Sequence, residues 1–145
     1  NPTTCVATSN LKIDIPDNQG RNIVLYFYPK DDTPGCTIEG NDFTQLNEAF
    51  TENNTVIYGV SRDSIASHEK FKQKFDYTID LISDEDESLC NQFDVIKLKK
   101  LYGKEHMGIV RSTFVISPTG EILKHWDKVK VAEHAQEVLE FVKEL

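Results

Sequence analysis

Tyr26-Phe27-Tyr28-Pro29-Lys30-Asp31-Asp32-Thr33-Pro34-Gly35-Cys36-Thr37 is the stretch on which the reading of this chain turns. A β-prone apolar run, Ile23 to Tyr28, stops at a proline. A short polar turn follows, and Thr33-Pro34 then opens a helical pattern. Proline suits a first helical turn, because the N–H it lacks would be unpaired there anyway. The order is therefore buried strand, turn, helix, with a cysteine in the first helical turn. A helix start presents unpaired backbone N–H groups and the positive end of the macrodipole. Both stabilise a thiolate over a thiol. The sequence thus reads as holding a nucleophilic sulfur at position 36. A buried, inert cysteine is the commoner use of the residue, and its place behind a strand, a proline and a turn argues against that here.

The spacing carries a resemblance. Pro29, Thr33 and Cys36 match the Pro-x-x-x-Thr-x-x-Cys signature of peroxiredoxins, and the wider string from Leu25 to Gly40 resembles their peroxiredoxin Q branch, also called bacterioferritin comigratory protein. A second match is Tyr102-Gly103 with Gly108-Ile-Val-Arg111-Ser-Thr-Phe-Val-Ile116. A third is Trp126-Asp-Lys-Val-Lys-Val-Ala-Glu-His134. The likeness runs in register from about Ala7 to the C-terminus.

It implies a thioredoxin-like α/β fold with a central mixed sheet flanked by helices. It also implies thiol-dependent reduction of hydrogen peroxide and small organic hydroperoxides through a sulfenic acid at Cys36, in antioxidant defence and redox homeostasis. No cofactor and no metal is implied. Re-reduction would come from thioredoxin or a glutaredoxin/glutathione system, and the protein would be a cytoplasmic monomer. By the same likeness, the Thr33 hydroxyl contacts peroxide and sulfur, although an N-cap role would explain a threonine there equally well. Arg111 would lie beside Cys36 and stabilise both the thiolate and the departing oxygen. Pro29 would shield the sulfur. Pro34 and Gly35 shape the turn, and Glu39, one helical turn on from Cys36, is a candidate partner for Arg111.

The chain departs from the pattern in its second thiol. Many relatives carry a resolving cysteine five positions after the peroxidatic one, where this chain has Asn41. Another known location is the helix expected over residues 64–75, which has no cysteine. Cys90 and Cys5 remain as candidates. Cys90, beside Leu89 and Phe93, reads most simply as a core thiol, and Cys5 lies near what reads as a loose N-terminus. A one-cysteine cycle is the expectation. Thiol–disulfide exchange on the same fold is disfavoured, because Cys36-Thr37-Ile38-Glu39 lacks the second cysteine that chemistry uses.

Composition agrees. With 145 residues the chain is long enough for one domain over residues 1–145. Sixteen Lys and Arg against 24 Asp and Glu give a net charge of -8, which argues against nucleic acid and anionic membrane as partners. Three cysteines make no disulfide framework, and the four histidines, His68, His106, His125 and His134, have no zinc-ligand spacing. Position 1 is Asn, so a removed targeting peptide stays open.

Periodicity predicts strands at 11–15, 23–28, 55–60 and 80–83, and a hairpin of 113–116 with 121–126. Helices are predicted over 34–50, 64–75 and 131–145, with another capped by Ser83 or Asp84 and running to Phe93. Ile38, Phe43, Leu46 and Phe50 are expected on the buried face of the first helix. Ile65, His68, Phe71 and Phe75 are expected on that of the second. Trp126 is expected in the core, and His134 is expected to pack or to cap its helix.

Overall fold

The computed structural model describes residues 3–145, the Leu101 side chain excepted. In chain order the elements are β1 Thr3–Ala7, β2 Leu11–Ile15, β3 Asn22–Phe27, α1 Pro34–Glu52, β4 Thr55–Ser61, α2 Ile65–Lys74, β5 Asp80–Ser83 and α3 Ser88–Gln92. They continue with β6 Ile96–Leu101, β7 Lys104–Ile109, β8 Ser112–Ile116, β9 Ile122–Trp126 and α4 His134–Lys143. Seven strands form one sheet in the order β2-β1-β5-β4-β3-β8-β9, and β6 and β7 pair separately. The strands β3, β4 and β5 run parallel, as their helical crossovers require, while β8 lies antiparallel to β3. The sheet is mixed and flanked by helices.

Strand β3 divides the interior. Its side chains alternate, so Val24 and Tyr26 enter one apolar cluster, which Tyr28 extends, and Ile23, Leu25 and Phe27 enter another. The first cluster includes Phe43 and Phe50 of α1, Phe71 of α2 and Val138 of α4, together with Cys36. The second includes Leu89 and Cys90 of α3, with Phe114 of β8, and Cys5 packs against it. The sheet thus separates Cys36 from the other two cysteines.

Strand β4 meets both neighbours closely at Gly59, which pairs with Tyr26 and with Leu81. A methyl group there would lie 2.7 Å from the Tyr26 hydroxyl and 2.8 Å from Leu81 Cδ2. Gly59→Ala is therefore expected to overpack the sheet and cost about 1–3 kcal/mol. A lowered urea midpoint at unchanged slope is the expected result, and an unchanged midpoint would show that the sheet opens freely there.

Four sequence expectations need correction, and one pair of strands adds to them. Residues 3–7 form a strand, with Cys5 paired opposite Ile13, so the segment is tied into the sheet. The pair β6 and β7 was not anticipated. Its turn is Tyr102-Gly103, with both residues at positive φ, a usual two-residue hairpin geometry. Ile38 is 53% exposed, and the buried positions of α1 are Cys36, Glu39, Gly40, Phe43 and Phe50. The inward stripe therefore runs through the cysteine and a carboxylate. Helix α3 is only Ser88–Gln92, although Asp84 does serve it, accepting from the N–H groups of Leu89 at 3.0 Å and Cys90 at 2.8 Å. Finally, α4 starts at His134, because Glu133 adopts a left-handed φ of 61°.

Candidate active site

The loop from Tyr28 to Thr33 carries the chain from the end of β3 to the start of α1. Thr33 occupies the N-cap position with extended backbone, and Pro34 follows it. The first helical hydrogen bond runs from Thr37 N–H to the Thr33 carbonyl at 2.9 Å. Helix geometry then leaves the N–H groups of Gly35 and Cys36 without intrahelical partners. The Thr33 hydroxyl does not cap the helix. It donates to the Lys30 carbonyl at 2.8 Å. Of the two roles open in the sequence, the cap is excluded in this geometry, and the hydroxyl oxygen keeps lone pairs for another donor.

Cys36 is 2% exposed. Arg111 stands between β7 and β8, next to Ser112, which pairs with Phe27 at the end of β3, and reaches Cys36 from there. Its Nη2 lies 3.3 Å from Cys36 Sγ, and its Nη1 lies 2.6 Å from Glu39 Oε1. One planar fork therefore joins the sulfur to the carboxyl group one turn further along α1, a geometry lysine cannot copy. Burial opposes charge on the guanidinium, but Glu39 and Cys36 outweigh it and hold Arg111 above the usual arginine range. The absence of a side chain at Gly35 matters here. A methyl group on it would lie 3.1 Å from Arg111 Nη2. The Val129 N–H donates to the Arg111 carbonyl at 2.9 Å, so the segment after Trp126 fixes the backbone that carries the fork. The three stretches that carry the resemblance thus meet at one place.

Glu39 is almost wholly buried, and its Oε2 has no hydrogen-bond partner among the described residues. Burial pushes its carboxyl up to about 7, although Arg111 pulls the other way. The upward direction prevails because the ion pair satisfies only one of the two oxygens. A group whose proton is held more tightly in the folded state stabilises the fold fully below its unfolded value, near 4.5, and that contribution is lost as pH rises through 7. Glu39→Gln should therefore gain stability relative to wild type between pH 4.5 and 7, by on the order of 3 kcal/mol. Parallel stability–pH curves for the two proteins would contradict this.

Tyr77 and Lys99 escaped the sequence reading, whereas His134 was expected to pack or cap. Tyr77 donates its hydroxyl to the Thr37 carbonyl at 2.8 Å and so braces the first turn of α1. Lys99 of β6 brings further positive charge, and its ammonium is lowered by burial first and then by the Arg111 guanidinium. His134 packs edge-on against Phe43 and Trp126, and its Nε2 lies 2.8 Å from the Thr113 hydroxyl. Tyr77 and Lys99 give no local signal, since only the fold brings them near.

The remaining cysteines are placed elsewhere, and all three are free thiols. Burial holds Cys90 far above the ordinary thiol range, with the Asp84 carboxylate adding to it. Burial likewise raises Cys5 to about 11, helped by Asp84, Asp86 and Asp14. Neither environment favours a thiolate.

Comparison with known proteins agrees with this geometry. The model of the AhpC/TSA family matches residues 3–125. Peroxiredoxin Bcp of Xanthomonas campestris pv. campestris is 53% identical over 124 residues, covering 86% of this chain and 78% of that one. Peroxiredoxin Bcp of Bacillus subtilis is 50% identical over 133 residues, covering 92% and 85%. A solved structure of the Xanthomonas campestris bacterioferritin comigratory protein, from work on its alkyl peroxide reduction activity, superposes with a TM-score of 0.92 at 46% identity. It covers 98% of this chain and 90% of that one. The architecture is the thioredoxin-like fold.

Proposed function

This chain belongs to the AhpC/TSA family, as a peroxiredoxin of the Bcp or Q type and hence a thiol-dependent peroxidase, and from that premise we propose that Cys36 is its peroxidatic nucleophile. The observation that carries the assignment is the contact of Arg111 with both Cys36 and Glu39 at the open end of α1. The Cys36 thiolate attacks one peroxide oxygen. The S–O bond forms as the O–O bond breaks, and the electron pair leaves on the far oxygen, which takes a proton and departs as water or an alcohol. Arg111 is placed to stabilise the negative charge on both sides of that step. Thr33 offers its hydroxyl oxygen to the peroxide proton, and Pro29, half-buried, limits access of water. Pro34 and Gly35 shape the turn, and Glu39 orients the guanidinium.

The cycle returns to thiol by an external thiol donor. Thioredoxin or a glutaredoxin/glutathione system is the proposed donor to a single-domain, monomeric, cytoplasmic enzyme. No helix among the described residues is long and apolar enough to cross a membrane. Neither Cys90 nor Cys5 suits a resolving role, because the sheet lies between them and Cys36. A disulfide needs Cα atoms within about 7 Å.

Stoichiometric peroxide, followed by dimedone and mass spectrometry, is expected to give mainly a single-oxygen adduct at Cys36. Excess peroxide carries it on to sulfinic acid, and non-reducing gels show little intramolecular disulfide. A prompt, quantitative Cys36–Cys90 linkage that thioredoxin reduces would replace the one-cysteine cycle with a two-cysteine one.

A further inference from the structure

Helix α2 carries a histidine that the reaction above does not use. His68 is 0% exposed. Its Nε2 lies 2.9 Å from the Ile82 carbonyl. A carbonyl only accepts, so that nitrogen carries a proton. Its Nδ1 lies 2.7 Å from Asp31 Oδ2. With Nε2 already protonated, that second contact needs one further proton, held on either partner: the protonation follows from the hydrogen-bond pattern. Asp31 is otherwise surrounded by donors. The Tyr28 hydroxyl reaches its Oδ1 at 2.6 Å, and the Ser67 hydroxyl reaches its Oδ2 at 2.7 Å. The group is internally satisfied, so it reads as a hydrogen-bonded latch. A metal site would need those same lone pairs, although Asp31, Asp63 and His68 lie close enough together to hold an ion.

The latch grips the loop that precedes Cys36. The Asp31 N–H donates to Asp63 Oδ2 at 2.9 Å, and the same oxygen accepts from Ser61 at 2.6 Å. The peptide that carries this N–H is the one whose carbonyl, that of Lys30, accepts the Thr33 hydroxyl. A peptide unit is planar and stiff. Its N–H and C=O cannot turn separately, so fixing one end fixes the other. Lys74 adds an ion pair to Asp32 at 2.7 Å, but both side chains are about half exposed, and such a pair contributes little. The buried contacts decide the loop position.

We propose that His68 is a positioning residue for peroxide reduction: through the proton it shares with Asp31 it fixes the Lys30–Asp31 peptide, and with it the Thr33 hydroxyl, one turn before Cys36. The proposal rests on Cys36 as the peroxidatic thiol. It assigns His68 no contact with substrate. Its effect is to hold Thr33 ready for peroxide, while the thiolate itself is left to Arg111 and the start of α1.

Two rates separate that role from a general structural one. His68→Gln is expected to slow single-turnover oxidation of Cys36 by hydrogen peroxide about ten- to a hundredfold, the range of a misplaced reacting group. Alkylation of Cys36 by iodoacetamide, which needs the thiolate but not Thr33, should stay within about twofold of wild type at every pH tested. Asp31→Asn should reproduce the peroxide defect, and the double variant should be little worse than either, since both act through one contact. Equal losses in both rates, or multiplying defects, overturn the proposal. Should the variants fail to fold, the wild-type protein decides by nuclear magnetic resonance. A slowly exchanging low-field proton correlated with the His68 ring is expected. His68 ring protons that all exchange rapidly with solvent, with no such low-field signal, overturn it. The wild-type peroxide rate, measured alongside, tests the Cys36 assignment separately.

Discussion

Cys36→Ser is expected to reduce peroxide consumption with dithiothreitol to background, a loss of more than about a thousandfold, or about 4 kcal/mol of barrier. The serine hydroxyl has nearly the same shape, so the fold and the Arg111–Glu39 pair should persist. What disappears is the chemistry, since an alcohol oxygen is not ionised near neutral pH and takes up no oxygen atom from a peroxide. Cys5→Ser and Cys90→Ser should each keep the rate within about twofold. Both thiols are held protonated, Cys5 at about 11 and Cys90 higher still, and both lie on the far side of the sheet from Cys36. Cys90→Ser should lose some stability, because it removes a fully buried sulfur from the core cluster, so its rate is to be compared well below its melting temperature. Near-wild-type turnover by Cys36→Ser would end the assignment, and background turnover by Cys90→Ser would restore that residue to the cycle.

The elements that build the site were legible because each rests on local chemistry. The run from Ile23 to Tyr28 is continuous and apolar, as a strand covered on both faces must be. The step to Thr33-Pro34 uses side chains with few other uses. Strand alternation at Leu11–Ile15 and the turn at Ser117-Pro-Thr-Gly120 are equally local. The first strand was missed for the opposite reason. Thr3-Thr-Cys-Val-Ala has only one buried residue, Ala7, so nothing in its pattern distinguishes it from a tail. Its pairing comes from β2 and β5. The β6–β7 hairpin was missed because its faces are largely exposed. Leu98 and Met107 stand opposite each other in solvent, and periodicity reports burial.

The site itself was legible only in part. Arg111 reached the reading through the likeness of three separated stretches, since an arginine before a strand is by itself a surface residue. Glu39 stood one turn from Cys36 and was found by helical spacing. The assumption that Ile38 faces inward concealed that the buried stripe of α1 passes through Cys36 and Glu39. An apolar residue lies outside there because the helix turns its polar pair toward the arginine. His68 lies on the buried face of α2 with Phe71, as helical spacing predicts. Its proton bookkeeping depends on Asp31 and Ile82, which lie on other elements.

Arg111→Ala is expected to slow peroxide attack by about ten- to a thousandfold, the effect of one lost transition-state donor, or about 1.4–4 kcal/mol. The side chain is only 17% exposed, so water replaces the lost fork poorly. Two consequences follow from its geometry. With no cation 3.3 Å from Sγ, the pH profile of iodoacetamide alkylation should move to more alkaline values. Glu39 would lose the partner of Oε1 while Oε2 already has none, and an unpaired buried carboxylate is strongly unfavourable. It would take up a proton instead, or the protein would lose stability. Adding Glu39→Gln to Arg111→Ala should therefore restore part of the stability while leaving the rate low. That separates the loss of catalysis from the loss of folding. Arg111→Lys should recover part of the rate, because a point charge can approach the sulfur or the carboxylate but cannot span both. An alkylation profile that stays unchanged in Arg111→Ala would remove the guanidinium from the reacting centre and leave the helix start alone to stabilise the sulfur.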